Sequence, residues 1–272
     1  MPAHASDSGW LLTVALAAPV AIAGAAYLAA PAHERRGGRG WPVRRVVCAM
    51  LGIAAAASGF VGPLADAMHD SFTAHLGAHV LVGMAAPLLL VQAAPITLAL
   101  RTLSVTPARR VARAMRSRPA RVLTHPVPAA LLNVGGLWLL HGTGLFAALS
   151  GIPLGHAVMM LHFLLAGYLF TASIAPADPA PHRAPLRTRA IVLVAAVAAH
   201  GILAKLLYSA PPTGVATADA RTGSQLMFYG GDAVDVVLIV LICAEWYRVT
   251  GRRPAPRAAP AARRQPTLGG AA

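Results

Sequence analysis

FTAHLGAHVLVGMAAPLLLVQAA, residues 72–94, carries two histidines and no acidic or strongly basic side chain. As a helix rising about 1.5 Å per residue it reaches roughly 34 Å, enough to cross a hydrocarbon core of about 30 Å. His75 and His79 stand four residues apart, so a regular helix projects both from one face. Histidine is costly in lipid and normally turns toward neighbouring helices or a cavity. The stretch therefore reads as one span of an all-α, polytopic membrane bundle, and as part of a site.

The pattern repeats on both sides. Apolar blocks run from about Trp10 to Ala30, Val46 to Leu64, Phe72 to Ala93, Pro126 to Phe146, Leu154 to Ile174, Ala190 to Ser209 and Leu226 to Trp246. That makes about seven transmembrane helices. The connections alternate in charge. Arg35, Arg36, Arg39, Arg44 and Arg45 precede the second block, and Asp66 and Asp70 follow it. Arg101, Arg109, Arg110, Arg113, Arg116, Arg118 and Arg121 crowd the connection after the third, and Arg183, Arg187 and Arg189 outnumber Asp178 after the fifth. Basic loops stay in the cytoplasm, which puts the amino terminus outside and the carboxyl terminus inside. The segment before Trp10 lacks Lys and Arg, so the first block reads as an uncleaved span rather than a signal peptide. Residues 1–250 form the expected transmembrane domain, and 251–272 a basic, Pro/Ala-rich, disordered cytoplasmic tail.

Composition agrees. Of 272 residues, 57% are hydrophobic and 12% charged, about half the charge usual for a soluble domain. The net charge of +14 does not point to nucleic acid, because the arginines bunch beside apolar blocks, where anionic lipid is their natural neighbour. Cys48 and Cys243 form no CxxC, which removes a disulfide framework and a thiolate metal motif. P-loop, GxSxG, HExxH and dinucleotide fingerprints are missing, and no catalytic role is expected.

The histidines carry the chemistry. Of eleven, His33, His125 and His182 fall on the cytoplasmic side and His4 in the outer tail. His69, His75, His79, His141, His156, His162 and His200 all fall in an outer loop or the outer half of a span. Counting from the outer helix ends, His79 lies about 10 Å deep, His141 about 8, His162 about 12, His200 about 14 and Asp232 about 9. Five polar groups on five helices thus share one shallow layer, and meet in an outward-facing pocket if their faces turn inward. Met159 and His162 share a face at i and i+3; thioether with imidazole suits copper. The expected metal set is His75, His79, His141, His162 and His200, with His69, His156, Met159 and Asp232 as alternate ligands or supports.

AHLGAHVLVGMAAPLLLVQAAP (74–95), THPVPAALLNVGGLWLLHG (124–142), GHAVMMLHFLLAGYLF (155–170) and GSQLMFYGGDAVDVVLIVLICAEWY (223–247) resemble, in the same order, the pattern of the bacterial CtaG-type cytochrome c oxidase assembly factors. The resemblance covers roughly Asp66 to Trp246. His75 and His79 match the family's paired histidines, His141 the one linked to a tryptophan, and His162 the one before the Gly-containing stretch. Members often carry Asp-Gln at the start of the last span; here Gly223-Ser224-Gln225 stands there, which leaves that aspartate without a counterpart. The resemblance implies a bacterial plasma-membrane protein that binds copper and helps deliver it to an oxidase subunit. A haem-binding redox protein and a copper transporter are the rival readings, and homodimerisation stays open.

Overall fold

The computed structural model describes residues 40–251 apart from 153, with positions 18, 22, 24, 25, 27 and 29 of the first block. Most of the expected Trp10–Ala30 span, and the expected tail beyond residue 251, lie outside the described residues.

Among the described residues the chain is all helix, with no strand. In order come α1 (Val43–Ala57), α2 (Pro63–Ala67), α3 (Phe72–Gln92), α4 (Pro95–Thr102), α5 (Val105–Met115), α6 (Arg118–Leu123), α7 (126–142), α8 (Leu145–Ser150), α9 (Gly155–Ile174), α10 (Leu186–Ser209) and α11 (Thr217–Thr250). Helices α3, α9, α10 and α11 are long and apolar enough to cross a membrane.

Helices α1 and α7 stop short of the blocks that contain them, for local reasons. After Ala57, the Ser58 hydroxyl bonds back to the Ala55 carbonyl at 2.8 Å, Gly62 takes a left-handed φ of 89°, and Pro63 opens α2. After Gly142, extended Thr143 donates to the Leu139 carbonyl at 2.6 Å and accepts from the Leu145 amide at 3.2 Å, starting α8. Helix α11 instead begins well before Leu226, at Thr217, because Asp219 supplies the acidic first turn a helix start favours.

Helix α3 is the hub, packing against α1, α9 and α11. It is not a regular α-helix: residues His79–Ala85 form a π-helical turn, and Leu131–Gly135 form another in α7. Pro87 has no N–H, so the Gly83 carbonyl lacks its usual helical partner. That carbonyl faces Gly167 of α9 so closely that any Cβ there would collide with it. Two glycines thus set the approach of α3 to α9.

Three acidic side chains fasten the bundle. At one end, the Asp219 carboxylate accepts the amides of Phe72 (2.7 Å) and Thr73 (3.1 Å) and the hydroxyl of Ser71 (3.1 Å). At the other, Asp178 does the same for α4, accepting from the amides of Ile96 and Thr97 and the Thr97 hydroxyl. Each satisfies orphan N–H groups of a helix start from a distant part of the chain. Near that second end, Arg189, 2% exposed, pairs with Glu245 of α11 and donates to the Ile174 carbonyl at 2.7 Å. Read in sequence as one of several loop charges, Arg189 is instead a buried tie between α9, α10 and α11.

Candidate functional site

The Asp219 end of the bundle gathers the histidines, in two tiers. In the first, His69 lies 4.7 Å from His156 between ring centroids, His156 lies 5.9 Å from His75, and His75 lies 5.7 Å from His141. Four rings from the α2–α3 turn, α3, α7 and α9 make one chain. Phe72 and Phe146 close it in, with Phe146 4.8 Å from His75 and stacked on His141 at 5.5 Å. In the second tier, His79 faces His200 of α10 at 5.9 Å and packs against Phe163 of α9 at 4.6 Å.

His75 and His79 therefore serve different partners. The His79 N–H still bonds the His75 carbonyl, so the two rings share a face of α3. They reach different partners because they stand one turn, about 6 Å, apart along its axis. The π-helical turn begins at His79 and runs on from it. Such turns occur often at functional sites, and α7 carries its own beside Asn133.

The hydrogen bonding of these rings is incomplete in a way that matters chemically. Both nitrogens of His75 and of His79 are buried without a partner, as are Nε2 of His141, Nε2 of His200 and Oδ2 of Asp235. Leaving a polar group buried and unpaired costs about 1–3 kcal/mol each. Where partners exist, they set the tautomer. His141 Nδ1 lies 3.2 Å from the Leu137 carbonyl, and His69 Nδ1 lies 3.1 Å from the Ala65 carbonyl. A carbonyl only accepts, so both rings hold their proton on Nδ1, which leaves the Nε2 lone pair free in the neutral ring. A backbone acceptor holding the far nitrogen is the usual support behind a metal-binding imidazole.

Not every expected residue joins. His162 is exposed on the flank of the bundle, its Nε2 against Gly136 of α7, beside an apolar cavity of about 260 Å³ lined also by Met159. Met159 itself is buried in the core. Asp232 is half-buried, whereas Asp235, one turn further along α11, is the carboxylate that reaches the His79–His200 cavity. Spacing alone gave no reason to prefer Asp235, and Asn133, which lines the same cavity, was missed. Among the described residues, no three His, Cys, Asp or Glu side chains stand close enough, as placed, to hold one metal ion. Gathering the imidazoles around an ion requires side-chain rotation within each tier.

Comparison with known proteins places the chain. A family described as cytochrome c oxidase caa3 assembly factor matches residues 25–249. An uncharacterized protein of Mycobacterium leprae is 31% identical over 263 residues, covering 88% of this chain and 40% of its own length. Uncharacterized proteins of Mycobacterium bovis and Mycobacterium tuberculosis are each 31% identical over 273 residues, covering 91% of this chain and 40% of their own. This chain thus spans about 40% of the length of these curated relatives. No solved structure matches it significantly.

Proposed function

Since this chain belongs to the cytochrome c oxidase caa3 assembly factor family, we propose that it binds copper among the histidines at the Asp219 end of its bundle and assists delivery of the ion to the oxidase. The observation that carries this reading is His75: buried, with both nitrogens unpartnered, and between His141 and His156. Imidazole nitrogen suits either oxidation state of copper. The work needs no catalytic turnover, only capture, holding and release.

The proposed topology is seven spans in the bacterial plasma membrane, with the amino terminus outside, residues 1–250 as the membrane domain and 251–272 as a cytoplasmic tail. Residues Gly62–Asp70 and Thr143–Gly144 then face outward, which opens the first histidine tier toward incoming copper. The arginines of α4 to α6 face the cytoplasm and touch anionic lipid. In a strain that depends on this chain for oxidase assembly, His75→Ala/His141→Ala is expected to yield copper-deficient oxidase although the variant reaches the membrane. Fully copper-loaded oxidase would refute the reading.

A further inference from the structure

We propose that the cavity between His79 and His200 is a second copper site, separate from the one built around His75 and His141. This rests on the copper-binding reading above and adds a distinct place, with its own ligands, where a second ion is held.

The cavity measures about 20 Å³, room for one particle the size of a water molecule. Its polar groups are stranded. His79 is 2% exposed, and His200 and Asp235 are each 4% exposed. Neither nitrogen of His79, nor Nε2 of His200, nor Oδ2 of Asp235 has a hydrogen-bond partner. Asn133 and Met84 also line the space. Two imidazoles, a carboxylate, an amide and a thioether line one small void; the imidazoles with the thioether suit copper, and the carboxylate supplies a counter-charge.

Charge distinguishes the tiers. The first contains imidazoles alone. The second adds Asp235, with Asp232 one turn away on α11, so a cation there meets a compensating carboxylate in a low-dielectric interior. Burial without a counter-ion is expensive for either partner, and an ion resolves both costs together. Gly231 fixes the approach, since a Cβ at that position would strike the His200 ring and push it off the cavity.

Position distinguishes them as well. The first tier draws on α3, α7, α9 and the turn before α3; the second draws on α3, α10 and α11, with α7 contributing Asn133. His75 and His79 are about 6 Å apart along the α3 axis. The two tiers thus lie one turn apart on a single helix.

Titration of the purified full-length chain with Cu(I), against a chromophoric Cu(I) chelator, tests this. Wild type is expected to bind two equivalents, His200→Gln one, and His75→Ala/His141→Ala one. Asp235→Asn, which keeps the side-chain shape, is expected to loosen one of the two equivalents at least tenfold, and it decides the matter should His200→Gln fail to fold. A wild type that binds one equivalent, lost in His75→Ala/His141→Ala and untouched by changes at His200 or Asp235, would overturn the second site and leave the proposed function standing. A single equivalent lost in both classes of variant would likewise overturn it, as one shared site. A wild type that binds no copper would remove both.

Discussion

The Asp219 carboxylate accepts the Phe72 amide at 2.7 Å, so the helix bearing His75 and His79 is pinned at its first residue by the start of the last helix. The same carboxylate takes the Thr73 amide and the Ser71 hydroxyl, while Thr73 donates its hydroxyl to the Asp219 carbonyl. Asp219→Ala leaves these donors open and is expected to destabilise the protein by about 1–3 kcal/mol. Thermal unfolding in detergent measures this directly. Asp219→Asn, which keeps one acceptor oxygen, should lose less.

The site geometry makes a residue-specific prediction about His162. The ring is exposed on the flank of the bundle and lies against Gly136 rather than in either tier. His162→Phe is therefore expected to leave the copper content of the purified chain unchanged. Loss of an equivalent in that variant would mean that the ring swings inward and belongs among the ligands.

Topology has its own test. In a chain with Cys48 and Cys243 replaced by Ser, a cysteine at Thr143 is expected to react with a membrane-impermeant maleimide on intact cells. A cysteine at Ser117, among the arginines, is expected to react only after the membrane is opened. The reverse pattern would invert the bundle and turn the histidines toward the cytoplasm.

The sequence was legible where one physical signal dominated. Long apolar runs marked α3, α9, α10 and α11. The breaks that shorten α1 and α7 were marked by Gly62-Pro63 and Gly142-Thr143-Gly144, but a hydropathy run reads straight through them. The π-helical turns had no such marker, because a single wide turn leaves composition and apolar content unchanged. His75 and His79 do share a helix face, as their spacing says. They meet different rings because they stand one turn apart along α3, and spacing does not report what neighbouring helices bring to each level. Asp232 and Asp235 posed the same difficulty: which carboxylate turns inward depends on how α11 rotates against α10, and no local pattern reports that. Arg189 was obscured for a related reason, since its partner Glu245 lies 56 residues away.

Copper content, measured by elemental analysis of purified wild type and of His75→Ala/His79→Ala with matched unfolding temperatures, reaches both tiers at once. Wild type should carry bound copper that the double variant lacks. Equal copper in the two proteins would contradict the claim that the buried, unpartnered imidazoles of this helix hold the ion.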